Sequence, residues 1–233
     1  MESINPLITI LAIKESLKLI GRIECSFKKE SNFFIEKMKF FSLYYKVVNK
    51  SDYVKSEKVK MHIYFSKNKK NKEKINKLIK LYQRVNYDNE MFANANKEIG
   101  RIYGYPDCCI DWFVDFLISW LAKNRENNIN LIEPSQDLIN LKFLANSKGN
   151  SFNKVVNFCQ NDSPLFHLPH SLNCKKSINI GRENLKILKE YNKELFLKYQ
   201  EYLKGTFRVY KNRIVKIGHY SKLGKKDNII YFK

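Results

Sequence analysis

Residues 104–120 read GYPDCCIDWFVDFLISW, and this stretch separates two differently patterned parts of the chain. Gly104 and Tyr105 end one segment of helical apolar spacing, and Pro106 opens the next, because proline is favoured in the first turn of a helix. The spacing after Pro106 predicts a helix whose first turn carries two adjacent thiols. The predicted core stripe of this helix is Cys109, Phe113, Phe116, Leu117 and Trp120.

The part that precedes this stretch mixes helical and strand-like patterns. Apolar residues at helical spacing alternate with short runs rich in β-branched and aromatic residues, which predicts a small sheet with helices on one face. We take residues 1–86 as one α/β region. The predicted segments are helices at 4–20, 32–41 and 75–82 and strands at 22–27, 43–48 and 58–65.

The part that follows is mainly helical. Residues 87–233 are predicted to form a helical Cys/His domain with a C-terminal extension of short strands. The alternative is that both regions form one compact unit. Together the two patterns predict an α+β fold. The predicted segments are helices at 91–102, from Pro106 onward and from about Ser171 to Gly205, a short element at 138–145, and strands within 206–233.

The composition indicates a folded protein. Of the 233 residues, 44% are hydrophobic and 14% are aromatic, which is enough to bury a core. The longest apolar stretch, residues 110–121, contains two aspartates and is shorter than the about 20 residues that span a bilayer. The N-terminal residues lack a positive n-region, so we expect no signal peptide. Five cysteines, two of them adjacent, do not form the pattern of a secreted disulfide framework, and we expect a cytoplasmic protein.

The net charge of +20 has two interpretations. Clustered lysine and arginine attract phosphate, which predicts RNA or another polyanion as a partner. The alternative is compositional, because an AT-rich coding sequence makes Lys, Asn, Ile, Tyr and Phe abundant whatever the function. Residues 67–80 contain seven lysines and one acid, and residues 205–233 contain eight basic residues and one acid. The residues predicted to contact nucleic acid are Lys67, Lys69, Lys70, Lys72, Arg208, Lys211 and Arg213.

Two segments concentrate the residue types that bind metal ions. The first is the thiol pair, and the second, residues 167–174, reads HLPHSLNC. Ser171 is a candidate N-cap whose hydroxyl would accept the backbone N–H of Cys174. Both segments fall at helix starts, where the dipole favours the thiolate, the form that binds metal. We predict a zinc or iron–sulfur site with His167 and Ser171 around it. The predicted ligands are Cys108, Cys109, His170 and Cys174.

The adjacent thiols pose a geometric difficulty for this site. Neighbouring residues at a helix start point about 100° apart, so both seldom reach one ion comfortably. We therefore expect Cys108 to be the better ligand and Cys109 to be the more buried residue.

Two other interpretations of the same residues stay open. Cys108 or Cys174 can be a redox or nucleophilic thiol, activated by the helix dipole and by His167 or His170. Free cysteine is also a common small core residue, which explains Cys109 as well as ligation does. The remaining cysteines and histidines, taken as ordinary core, strand or surface residues, are Cys25, Cys159, His62 and His219.

The motif Gly-Tyr-Pro-x-Cys-Cys, followed downstream by His-x-Pro-His-x-x-x-Cys, resembles an uncharacterised, mainly archaeal family, the domain of unknown function 483. The likeness covers roughly residues 97–215, including Ser177 and Gly181-Arg182. In that family the second motif usually reads Pro-Cys-x-x-x-Cys, so His170 stands where a cysteine is expected. Zinc accepts this exchange easily and some iron–sulfur clusters tolerate it. The resemblance implies a shared site and no particular reaction.

The motifs of several large enzyme classes are absent from the sequence. It contains no Gly-rich phosphate loop, no G-x-S-x-G elbow and no H-E-x-x-H motif. Kinases, α/β-hydrolases and the common zinc proteases are therefore poor candidates, and the sequence leaves open whether the protein is an enzyme.

Overall fold

The structure is a computed structural model of the chain and describes residues 5–49, 61–84, 90–126, 147, 151–156, 164–167, 169–209, 214–218 and 229–232. The chain divides into two compact units, Pro6–Asp115 and Phe116–Lys233 with Met1–Asn5. The boundary that the sequence predicts between residues 86 and 87 stays a prediction. The helices and strands confirm the predicted α+β class, including the small N-terminal sheet with its helices.

The unit Pro6–Asp115 is built around a three-stranded antiparallel sheet. Its elements in chain order are α1 (Asn5–Lys14), β1 (Ile20–Cys25), α2 (Lys28–Phe40), β2 (Tyr44–Asn49), β3 (Met61–Ser66), a 3₁₀ turn (Lys69–Asn71), α3 (Lys72–Arg84), α4 (Glu90–Tyr103) and the start of α5 (Asp107–Glu126). β3 is the central strand, on which Ile63 lies opposite Ile23 of β1 and Val47 of β2.

Helices cover both faces of this sheet, so the prediction of helices on one face only is wrong. Successive residues of a strand point to opposite faces, and the last five residues of β3 are all buried. A strand whose residues are buried on both faces is covered on both. The core on the α1 and α2 side is Ile10, Ile13, Ile23, Cys25, Phe34, Met38, Leu43, Ile63 and Phe65. The core on the α3 and α4 side is Ile20, Val48, Tyr64, Ile75, Leu78, Ile79, Ile99 and Tyr103.

Three helices of this unit, α1, α2 and α4, end in the same backbone arrangement. The residue that leaves each helix has a left-handed conformation, with φ of 64° at Ser16, 54° at Ser42 and 75° at Gly104. The following N–H donates to the carbonyl five residues earlier, as in Leu43 N–H to Met38 O at 2.8 Å. The sequence predicts a longer first helix, over residues 4–20. The helix ends earlier, at the left-handed Ser16. The sequence does not predict this end, because glycine is the usual residue in this conformation.

Replacing Ser42 by glycine is expected to stabilise the protein. The left-handed region costs a non-glycine residue about 1–2 kcal/mol, and the extra entropy of glycine in the unfolded chain offsets about 0.5–1 kcal/mol of that gain. We therefore expect Ser42→Gly to raise the free energy of unfolding by about 0.5–1 kcal/mol, measured by urea denaturation. Ser42→Ala is the matched control and should bring no such gain. Equal stability of the glycine and alanine variants would contradict the assignment of strain to this position.

The second unit contains the remaining helices and a small mixed sheet. Its elements are the rest of α5, β4 (Ser151–Phe152), a 3₁₀ turn (Lys154–Val156), α6 (Lys175–Tyr191), α7 (Lys193–Leu203), β5 (Gly205–Val209), β6 (Ile214–Gly218) and β7 (Ile229–Phe232). The strand order is β4-β7-β5-β6, with β4 parallel to β7 and the other pairs antiparallel. Phe207 and Phe232 pack edge to face in its core. The predicted C-terminal strands are thereby confirmed.

The long helix that the sequence predicts from Ser171 to Gly205 is two helices. Asn192 interrupts it with an extended backbone, φ −155° and ψ 102°. Its N–H donates to Leu188 O at 2.8 Å, and its side-chain oxygen accepts from Leu195 N–H at 2.9 Å. Asparagine is a favoured N-cap, so one residue both closes α6 and opens α7. The element predicted at 138–145 lies outside the described residues. None of the helices in the described ranges combines the length and the apolar character that a membrane crossing requires.

Candidate metal centre

The first pair of thiols is positioned by the turn between α4 and α5. Gly104 N–H donates to Arg101 O and Tyr105 N–H to Gly100 O, both at 3.0 Å, which closes α4. The carbonyl of Pro106 then accepts from Cys109 N–H at 2.8 Å, so α5 begins directly after the proline. As the sequence predicts, Cys108 and Cys109 lie in the first turn of α5.

Close packing of α4 fixes the direction of this helix start. A Cβ on Gly100 would come within 2.8 Å of Ile110 Cγ1, so only glycine permits this approach. The buried stripe of α5 is Cys109, Ile110, Val114 and Leu117. The predicted stripe is therefore partly wrong, because Phe113, Phe116 and Trp120 are only half-buried. Ile110 takes one of the inner positions, where it comes close to Gly100 of α4.

The acidic residues near the thiols face cations of α4. Lys97 Nζ lies 3.5 Å from Asp111 Oδ1, and Arg101 Nε lies 4.0 Å from Asp107 Oδ1. Both pairs are solvent-exposed and contribute little to stability. Their cations offset part of the negative charge that Asp107 and Asp111 place near the thiols.

The second segment ends in a turn that presents Cys174. The sequence predicts Ser171 as the N-cap of the following helix, but the N-cap of α6 is Cys174 itself. The Ser171 hydroxyl accepts from Asn173 N–H at 3.1 Å, and its carbonyl accepts from Cys174 N–H at 3.1 Å. The helix therefore starts one turn later than predicted. The hydroxyl of Ser147 accepts from Leu172 N–H at 2.9 Å and so holds the same turn from a distant point in the chain.

His167 is fixed against α6 and is not one of the clustered donors. Its Nε2 lies 2.8 Å from the hydroxyl oxygen of Ser177, which is fully buried. Three residues before His167, the carbonyl of Pro164 accepts a hydrogen bond from the side-chain amide of Asn184 at 2.7 Å. These contacts tie the proline-bearing segment to α6. The role of Ser147 is not predicted from the sequence. Ser147 is 25 residues away from Leu172, so no local pattern indicates the contact between them.

The structure brings the four predicted ligands together. The donor atoms of Cys108, Cys109, His170 and Cys174 all lie within 4.8 Å of one another. The sulfur atoms of the adjacent cysteines are 4.0 Å apart. Cys109 and Cys174 are buried, with 2% and 5% of their surface exposed. His170 is half-buried, and Cys108 lies at the border between half-buried and exposed.

These distances suit a single metal ion. With Zn–S bonds of about 2.3 Å and tetrahedral angles, two sulfur ligands are separated by about 3.8 Å. The Cys108–Cys109 sulfur separation of 4.0 Å is close to that value. The expected difficulty with adjacent thiols is therefore absent. The Cys/His cluster can hold a metal ion.

The other cysteines and histidines do not join this cluster among the described residues. Cys25 is fully buried in the core on the α1 and α2 side, as the sequence predicts. Burial, together with Glu30 and Glu24, raises the pKa of its thiol to about 12, so it remains protonated and unreactive. His62 is a buried strand residue with Nε2 3.8 Å from Glu24 Oε1. Cys159 and His219 lie outside the described residues.

Comparison with known protein families, curated proteins and solved structures finds no match to this chain.

Gly104→Ala is expected to destabilise the turn that presents the thiols. A Cβ at this position would meet nothing within 4 Å, so the effect is conformational and not steric. The φ of 75° should make the alanine variant less stable by about 1 kcal/mol in urea denaturation. Gly104→Asn is the control, because asparagine tolerates this region better, and it should lose less. An alanine variant as stable as the parent would show that the turn does not need the left-handed conformation.

Proposed function

We propose that this chain binds one zinc ion through Cys108, Cys109, His170 and Cys174, and that the ion has a structural role. The observation that carries the proposal is the mutual distance of the four donor atoms, all within 4.8 Å. Three thiolates and one imidazole form one of the common ligand sets of structural zinc. We also propose that the chain belongs to the family of the domain of unknown function 483, on the Gly-Tyr-Pro-x-Cys-Cys and His-x-Pro-His-x-x-x-Cys motifs. Its free cysteines support our further proposal of a cytoplasmic location, because thiols stay reduced there.

The compact donor set favours zinc over an iron–sulfur cluster. In a four-iron cluster each ligand binds a different iron, so the ligands surround a body several ångströms wide. Ligands of one tetrahedral ion lie about 3.8 Å apart, and donors within 4.8 Å need to move by less than about 1 Å to reach that arrangement. The imidazole in the set is also an ordinary zinc ligand.

The coordination number supports a structural role. Catalytic zinc keeps one position for water or substrate, whereas four protein ligands fill a tetrahedral ion. Cys108 and Cys109 come from the first turn of α5, and Cys174 is the N-cap of α6. The positive ends of both helix dipoles stabilise thiolates at these positions. The ion would thereby hold two helix starts that are distant in sequence.

Metal analysis of purified protein tests this proposal. We expect one zinc per chain in protein prepared anaerobically without chelators, and no visible absorption band. His170→Ala should weaken zinc binding by more than about 100-fold, since losing an outer-shell partner alone costs 10–100-fold. His167→Ala is the matched control, because this histidine lies in the same segment but contacts Ser177. It should retain one zinc per chain.

Three outcomes would contradict the proposed zinc site. A brown protein with iron and inorganic sulfide would assign an iron–sulfur cluster instead. Equal zinc loss in both histidine variants, with both folded by circular dichroism, would exclude His170 as a specific ligand. Metal-free protein that is fully folded and does not take up added zinc would leave the cluster as a group of thiols, for which the thiol-chemistry alternative would apply.

We propose polyanion binding as a second function, favoured by the exposure of the lysines at residues 67–80. All seven of these lysines are exposed. Lys67 donates to the Ser16 hydroxyl at 2.8 Å, and Lys77 pairs with Glu98. Lys69, Lys70 and Lys72 extend the same exposed stretch over the 3₁₀ turn and the start of α3. Arg208 lies in β5, whereas Lys211 and Arg213 fall outside the described residues.

Salt dependence tests the polyanion proposal. Each phosphate contact on single-stranded RNA contributes about 0.7 to the slope of log K against log salt. Replacing Lys69, Lys70 and Lys72 by glutamine should therefore reduce that slope by about 2 for a short single-stranded RNA. The control replaces the exposed Lys186, Lys189 and Lys193 by glutamine, with the same change in net charge. Equal effects of the two triple variants, or an affinity that does not respond to salt, would remove this function.

A further inference from the structure

A cluster of cationic and phenolic side chains lies in the unit Pro6–Asp115, apart from the thiols. Tyr103 and Tyr105 stack with ring centroids 5.5 Å apart and an interplanar angle of 22°. The Lys18 ammonium lies over both rings, 5.1 Å from the Tyr103 centroid and 5.5 Å from the Tyr105 centroid. The Arg22 guanidinium lies 4.5 Å from the ring centroid of Tyr82.

Two positive charges lie close together in this cluster, because the charge on Arg22 acts on Lys18. The guanidinium of Arg22 donates a hydrogen bond to the carboxylate of Glu24 at 2.6 Å and forms an ion pair with it. Burial lowers the pKa of Lys18 to about 7, and the nearby Arg22 lowers it further in the same direction. An additional negative charge between the two cations would reverse both effects, because it would compensate the loss of hydration and the repulsion.

The side chain of Tyr103 in the same cluster is buried together with its hydroxyl group. Only 5% of its surface is exposed, and its hydroxyl has no hydrogen-bond partner among the residues that the structure describes. A buried hydroxyl without a partner has lost its hydration without compensation, so such groups are rare in folded proteins. Burial, chiefly, raises the pKa of this phenol well above its usual value, so it remains a proton donor. The charge on Arg22 acts on the same hydroxyl in the opposite direction.

We propose that Lys18, Arg22 and the hydroxyl of Tyr103 bind a phosphate group, with the rings of Tyr82 and Tyr105 beside it. Two cations and a phenolic donor match the three peripheral oxygens of a phosphomonoester. The rings add apolar surface that suits an aromatic or nucleoside substituent. Inorganic phosphate and a nucleotide present the same phosphoryl oxygens, so the source of the group is decided by comparing the two.

Titration calorimetry with inorganic phosphate and, separately, with AMP tests the site in the full chain. We expect saturable binding of at least one of them, and tighter binding of AMP would assign a nucleotide ligand. Lys18→Met should raise the Kd by at least about tenfold, because it removes a charged contact. Lys29→Met, an exposed lysine on α2, is the matched control and should bind like the parent.

Tyr103→Phe separates a ligand site from a merely structural cluster. Without ligand, this variant should be more thermostable than the parent by about 2–4 °C, because it removes a buried hydroxyl that lacks a partner. With ligand, it should bind phosphate at least about tenfold more weakly. Both effects together support the proposal. Binding equal to that of the parent in Tyr103→Phe or Lys18→Met, or no binding of either compound by the parent chain, would overturn it.

Discussion

Three sulfur atoms and one imidazole nitrogen share a volume that suits one metal ion. As thiolates without a cation they would repel one another, since two unit charges 4 Å apart cost about 4 kcal/mol at an effective dielectric constant of 20. Burial of Cys109 and Cys174 reduces the screening that water gives elsewhere. A bound cation turns this repulsion into attraction, so metal binding and the local fold are expected to stabilise each other.

Backbone turns and hydrogen bonds position the cysteines of this cluster. Gly104 closes α4 in a left-handed conformation, and Pro106 opens α5, so the two thiols follow within a single helical turn. Before α6 the hydroxyls of Ser147 and Ser171 bond the backbone of the turn that presents Cys174. These bonds satisfy backbone donors that would otherwise be unpaired near a helix start. The donors are therefore held in place before any ligand contributes.

Much of the fold and of the site could be predicted from the sequence, because both rest on local patterns. Alternating apolar residues locate the strands, and the helix starts after Pro106 and near Ser171 locate the thiols. The rest depends on features without a local signal. Two helices end at Ser16 and near Asn192. Serine and asparagine also occur within helices, so the sequence does not mark these ends. The second covered face of the sheet, and the contact of Ser147, depend on residues far apart in the chain. The sulfur atoms of Cys108 and Cys109 are 4.0 Å apart, although neighbouring residues at a helix start point about 100° apart. The backbone angle alone does not predict this distance, because side-chain torsions also set it.

The segment from Tyr103 to Pro106 connects the tyrosine cluster to the helix start that carries Cys108 and Cys109. Its two tyrosine rings contact Lys18, while its backbone closes α4 and opens α5. A change of backbone conformation at Gly104 would therefore move the rings and the thiols together. The hydroxyl of Tyr103 is different, because no hydrogen bond connects it to the turn. Removing that oxygen leaves the backbone bonds of the turn in place, so effects on the tyrosine cluster can be separated from effects on the thiols.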